Sequence, residues 1–364
     1  MNVALVTTLE RGGPLEHAVV LAQGLRGAGV GVRALCADAA AAERFSAVGA
    51  TAEVLPIRRG LDLAGAAALR RSLQGADVVH AQDRRAALWT RLLPRPSRHA
   101  VRVQTVHGLP EPYLPPPAGR ARPGWRAALA YRHVDAKLAW RADAVITPSR
   151  AMADQLVRRL GYPEGRLRVI PNGVRVLPLA SSRGEAVGTL SVLEPVKDLV
   201  TFLRAAALVA ERRPATRFLI FGTGSQEAEL RRCAAQLGPQ VDVALAGHVG
   251  SGEALSQLGV LVLTSLMENE PMGVLEAMAA GVAVVASAVG GVPHLAPHGT
   301  ASLVAPGDAN RFAAAIEQLL ADSAMRERQV AAARHHVERN RGAEVMVART
   351  VALYQELLDA RRAR

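Results

Sequence analysis

Short apolar runs alternate with stretches of helical period along most of the chain. Residues 2–8 form the first run, and a polar glycine loop, Glu10-Arg11-Gly12-Gly13-Pro14, follows it. Leu15, Ala18, Val19, Ala22 and Leu25 then repeat at a spacing that predicts a helix over about 15–25. Further strands are expected at 30–36, 52–55, 78–81, 100–106, 144–147 and 167–171, with helices over 39–48, 61–73, 84–93 and 125–140 and another starting at Pro148-Ser149. The alternation resumes at Val187, with strands ending near Leu193, Phe221, His248, Leu263 and Ala286, and the part from Asn310 to Arg364 is helical. Regular βα alternation predicts doubly wound parallel sheets, whose ligands collect at the carboxyl ends of the strands. The chain therefore divides into an N-terminal Rossmann-like domain over 1–176, a linker over 177–186, a second Rossmann-like domain over 187–338 and a closing helical segment over 339–364. The class is α/β.

The densest chemistry lies between Thr264 and Gly291, TSLMENEPMGVLEAMAAGVAVVASAVGG. A buried strand, Val260 to Leu263, runs into a polar turn with Glu268, Asn269 and Glu270, and Pro271 stands at the mouth of a helix. Proline fits there because the first helical amides have no partner within the helix. The amides near Gly273, Val274 and Leu275 are then a candidate phosphate site. Seven residues separate Glu268 on the loop from Glu276 in the helix. One carboxylate can face a sugar while the other accepts from a vicinal diol. The plain alternative is a strand-helix-strand unit with two solvated glutamates.

Other strand ends offer fewer groups. His107 closes a strand in Thr-Val-His-Gly, and His80 and Asp83 hold a comparable end. Gly12 and Gly13 allow close backbone approach, and Gly222-Thr223-Gly224 is a G-x-G after the strand Phe218 to Phe221. Neither glycine pair alone is specific. No G-x-G-x-x-G follows the first strand, which argues against a nicotinamide dehydrogenase.

Composition narrows the picture. The 364 residues are 50% hydrophobic and only 3% aromatic, so the core must be aliphatic. No signal peptide and no transmembrane helix is legible, and Cys36 and Cys233 read as free buried thiols, all of which points to the cytoplasm. Residues 1–180 carry 26 Lys+Arg against 13 Asp+Glu, whereas 181–364 carry 18 against 19. This one-sided excess fits a solvated Arg-rich surface, or docking at the cytoplasmic face of an anionic membrane. No nucleic-acid-binding signature accompanies it. The stretch Trp125 to Trp140 fits a core-packing helix or an interfacial contact with a lipid or polymer acceptor. Lys137 and Lys197 are the only lysines, and a lysine kept against an arginine bias is a candidate for chemistry.

The Thr264 to Gly291 string resembles the signature of retaining GT-B glycosyltransferases of the glycosyltransferase 4 type. It shares the two glutamates, the proline, the Leu-Glu-Ala-Met run and the Gly-Gly after the strand. ADAVITPSRAMADQLV, RVIPNGV and the strand-loop-helix from Val187 to Asp198 extend the resemblance over nearly the whole chain. It implies two Rossmann-like domains facing a cleft, with the last helix crossing back onto the first domain. It also implies that Glu268 contacts the donor sugar, Glu276 holds the ribose and Lys197 grips the diphosphate. By the same resemblance His107 lines the site beside the transferred sugar, Gly12 and Gly13 line the cleft, Gly222 and Gly224 form the nucleotide-side turn, and the base packs near His248. Asn269 and the amides of Gly273 to Leu275 complete the donor side, and His80 and Asp83 are acceptor-side candidates. Four positions depart from the pattern: Val192 stands where the family has a second diphosphate-binding cation, an arginine, and Arg175, Gly259 and His294 replace usual acidic residues.

The resemblance implies transfer of a hexosyl or N-acetylhexosaminyl group from a UDP- or GDP-sugar to a glycan, lipid-linked or small-molecule acceptor, with retention. The setting would be cell-envelope polysaccharide or glycoconjugate synthesis. No Asp-x-Asp pair is present, so no metal and no other cofactor is required on this reading. Two rivals stay open: a non-catalytic scaffold that keeps nucleotide binding, motivated by the departures, and a nucleotide-sugar 2-epimerase of similar fold.

Overall fold

The computed structural model describes residues 1–10, 12–55, 62–109, 133–176 and 184–363. They fall into two compact units. Described residues up to 109, 133–173 and 343–363 form the first, and 174–342 the second. Most of the proposed linker, the proline-rich loop after Leu109 and the first part of the Trp125 to Trp140 stretch lie outside the described residues. Residues 133–139 are helical and Trp140 is 64% exposed.

The first unit is built on seven parallel strands: β1 (Asn2–Val6), β2 (Gly31–Cys36), β3 (Thr51–Val54), β4 (Val78–Ala81), β5 (Val101–Thr105), β6 (Ala144–Thr147) and β7 (Leu167–Val169). Their order in the sheet is β3-β2-β1-β4-β5-β6-β7. The central strands are buried on both faces, which explains their continuous apolar runs. The helix Ala343–Arg362 belongs to this unit and sends Met346, Val347, Leu353, Tyr354 and Leu358 into its core. Gly24 permits the approach: a Cβ there would lie 2.2 Å from Val347 Cγ2.

The second unit has six parallel strands: β8 (Ala186–Leu190), β9 (Arg217–Phe221), β10 (Asp242–Gly247), β11 (Leu258–Leu263), β12 (Ala283–Ser287) and β13 (Ser302–Val304), in the order β10-β9-β8-β11-β12-β13. Two apolar clusters fill its faces, one around Leu261, Val274 and Met278 and one around Phe202, Phe218 and Ile316.

In each sheet the strand order reverses once, between β1 and β4 and between β8 and β11. A reversal of this kind sends neighbouring connections to opposite faces and opens a crevice at the carboxyl ends. Among the described residues no helix is long and apolar enough to cross a membrane. Both cysteines are free; Cys36 is buried as expected, whereas Cys233 is half-buried.

Candidate active site

The reversal in the second sheet places two loops side by side. One leaves β8 and carries Val192 and the short turn Pro195–Lys197; the other leaves β11 and carries Glu268. Backbone contacts stitch them together: Leu266 N donates to Val196 O at 2.8 Å, and Thr264 Oγ1 donates to Lys197 O at 2.9 Å. Lys197 Nζ then donates to Glu268 Oε1 at 2.6 Å, and Ser265 Oγ donates to the same oxygen at 2.7 Å. With side chains only 18% and 10% exposed, the Lys197–Glu268 pair is screened far less than a surface pair. The residue after Lys197 stores strain. Asp198 has φ 47, the one positive φ outside glycine among the described residues, and its carboxylate accepts from Thr201 Oγ1 at 2.7 Å.

Pro271 caps the helix Met272–Ala280. Its carbonyl accepts from the amides of both Val274 and Leu275, so these two are not the open donors expected from the sequence. The first-turn amides directed away from the helix are those of Met272 and Gly273. Glu276 lies farther along the same helix and is half-buried.

Glycines hold these loops in place. A Cβ on Gly222 would sit 1.8 Å from Ser191 O, and one on Gly224 would sit 2.4 Å from Leu193 O. The pair was expected to approach a nucleotide, but it packs against the backbone of the loop carrying Val192. Glu194 fastens the same loop by accepting from the amide and hydroxyl of Ser225. Gly290, with φ 53, does the same for the acidic turn, since a Cβ there would meet Glu268 O at 1.8 Å. Gly259 is explained similarly: a side chain there would press on Gly184 O from 3.0 Å, at an irregularity in the β11–β8 register.

One feature was not legible in the chain. Glu270 forms a buried ion pair with Arg341, 2.6 Å from Oε1 to the guanidinium, although 71 residues separate them. Asn269 is buried beside it, whereas His248 is exposed just beyond β10.

The first unit gathers polar groups at the ends of β1, β4, β5 and β6. Gly12, with φ 97, precedes the helix Gly13–Gly27, and its carbonyl accepts from Leu15 and Glu16. His17, on that helix, meets His107 edge to face with ring centroids 4.7 Å apart. Two acceptor-side expectations are corrected. Asp83 caps the helix Arg84–Leu92 by accepting from Ala86 N, and it also accepts from the amide and hydroxyl of Thr8. Its oxygens are committed to local structure. His80 is wholly buried, with Nδ1 2.6 Å from the Tyr354 hydroxyl and Nε2 2.7 Å from Thr105 Oγ1, which leaves no face for an acceptor.

Burial holds all three histidines neutral. His17 is lowered to about 4 by burial, with Asn172 pulling the other way, and His80 to about 3 by burial and then by His17. His107 lies well below 6.5, again mainly through burial. An unfolded chain binds protons at these positions below pH 6.5 while the folded chain does not. Their contribution to stability is therefore complete above pH 6.5 and is lost as pH falls toward about 4 and 3. The melting temperature is expected to drop across that window, and less steeply in His17→Phe; parallel pH profiles would contradict this.

Comparison with known proteins agrees with this layout. Residues 11–176 match the model of Glycosyltransferase Family 4, and 179–336 match that of Glycosyl transferases group 1. Glycogen synthase of Mycobacterium tuberculosis is 30% identical over 302 residues, covering 76% of this chain and 68% of that one. The chain belongs to the glycosyltransferase 4 type of GT-B glycosyltransferases. D-inositol 3-phosphate glycosyltransferase of Streptomyces avermitilis is a further relative, 28% identical over 250 residues, or 61% of this chain and 54% of that protein. The crystal structure of Anabaena HepE in complex with UDP-glucose shares the fold at TM-score 0.83 and 19% identity, covering 98% and 100% of the two chains. The family matches meet near residue 177, close to the point where the chain passes from one unit to the other.

Proposed function

We propose that this glycosyltransferase moves a hexosyl or N-acetylhexosaminyl group from a nucleotide-diphospho-sugar, with retention, to a glycan, lipid-linked or small-molecule acceptor. The observation that carries the reading is the Lys197–Glu268 pair at the switch point of the second sheet, beside the helix that bears Glu276. Departure of the nucleoside diphosphate builds negative charge, and catalysis requires cations and amide dipoles where that charge appears. Lys197 and the amides of Met272 and Gly273 serve that end. Glu268 serves the sugar hydroxyls, and Glu276 the ribose diol. His107, neutral and half-buried in the first unit, serves the transferred sugar as a hydrogen-bonding group. No cofactor or metal enters this scheme.

Support for a uridine nucleotide comes from Anabaena HepE, whose structure holds UDP-glucose. A thermal-shift screen with UDP-, GDP- and ADP-sugars tests the donor class, because a ligand of the folded state raises the melting temperature. One nucleotide series is expected to stabilise the protein, and a flat response to all three would remove the donor reading. Assay of the stabilising donor with and without acceptors separates transfer from 2-epimerisation.

The basic excess of residues 1–180 supports peripheral placement on an anionic membrane. Sedimentation with anionic vesicles at low salt is expected to exceed that with neutral ones. Indifference to lipid charge would end the idea.

A further inference from the structure

His80 was expected to meet an acceptor, yet it lies in the interior between the last helix of the chain and the strand that leads to His107. Tyr354, on the helix Ala343–Arg362, places its hydroxyl 2.6 Å from His80 Nδ1, and the two rings meet edge to face at 5.8 Å. The amide nitrogen of Gln82 also approaches His80 Nδ1, at 3.3 Å. Both ring nitrogens are thus engaged, Nδ1 by the Tyr354 hydroxyl and Nε2 by Thr105 Oγ1 at 2.7 Å. Burial favours both neutral forms, raising the Tyr354 phenol and lowering His80 to about 3. Thr105 is the last residue of β5, two positions before His107. On the other side His107 meets the His17 ring at 4.7 Å.

We propose that His80 is a positioning residue for His107, through which the hydroxyl of Tyr354 on the C-terminal helix fixes the strand end bearing the catalytic histidine. The Tyr354–His80–Thr105 chain braces His107 from the sheet side, and His17 braces it from the helix side. Tyr354, His80 and Thr105 are all buried. Water therefore cannot replace a lost link at low cost, and removing one leaves a stranded polar partner. The catalytic consequence rests on the reading of His107 as a group that serves the donor sugar; the brace itself rests on the contacts alone.

The test uses the full chain with ¹⁵N-labelled histidine and two conservative variants, Tyr354→Phe and Thr105→Val, with melting curves to confirm folding. His107→Asn and His80→Gln assign the signals. In the wild type the His80 ring is expected to hold a single neutral tautomer. In both conservative variants the His107 signals are expected to shift or broaden. His107 signals unchanged in position and width in both variants would overturn the proposal, whatever the donor proves to be. Turnover is followed with UDP-glucose as probe and water as acceptor. Tyr354→Phe is expected to lower kcat about tenfold with KM for the probe unchanged, as misplacement of a catalytic group does. Loss of turnover in His107→Asn with none in Tyr354→Phe would also overturn it. Full turnover in His107→Asn would instead remove the donor-side role of His107, and the spectra would then decide the brace.

Discussion

Lys197→Met lowers the turnover number by about 10²- to 10³-fold, the range for removing one well-placed stabiliser of developing charge. The variant keeps the stem and deletes the cation, so the loss is electrostatic rather than a packing defect. Two consequences add. The departing diphosphate loses the sole lysine in the second unit, and Glu268 keeps only the Ser265 hydroxyl of its two partners. An unpaired, mostly buried carboxylate then raises the local negative potential where an anionic leaving group must form. Steady-state kinetics with the donor found by thermal shift check this. Turnover within twofold of wild type would show that Lys197 does not face the leaving group.

Val192→Arg raises turnover by at least about tenfold, since a charged contact to a leaving diphosphate contributes on the order of 2–4 kcal/mol in the transition state. The site can take the change. Val192 is 38% exposed and lies outside the apolar clusters, so a longer side chain displaces no core atoms. Its loop packs against Gly222 and Gly224 and is fastened by Glu194 accepting from Ser225. The new guanidinium would therefore start near its working position instead of paying for loop ordering. A gain in kcat with little change in KM is the predicted signature. Turnover no higher than wild type would count against the missing-cation account and favour the non-catalytic scaffold.

Most of the fold was legible because parallel strands buried on both faces leave unbroken apolar runs in the sequence. β13 was missed because Ser302-Leu303-Val304 is only three residues long and begins with a polar one. Glu268 and Lys197 were legible from their motifs, but their mutual ion pair was not, since it depends on the reversal of strand order between β8 and β11. His80 was misread for a simple reason. A strand end looks the same in sequence whether its side chain faces a ligand or a returning helix, and Tyr354 lies 274 residues away. Asp83 could have been read correctly: an aspartate directly before a helical stretch is an N-cap signal. Gly222 and Gly224 were read as a nucleotide-side turn, and the structure shows them packed against the backbone of the chain's own Ser191 to Leu193 loop.

The central claim is that a nucleoside diphosphate rests on the start of the helix Met272–Ala280 with Lys197 as its cation. Isothermal titration of UDP, GDP and ADP into the wild type and Lys197→Met tests it most directly. The account predicts that one nucleotide binds the wild type and that its dissociation constant rises at least about tenfold in the variant, the loss of one charge-assisted contact. Equal affinity in the two proteins, or no binding of any of the three nucleotides to the wild type, would contradict it.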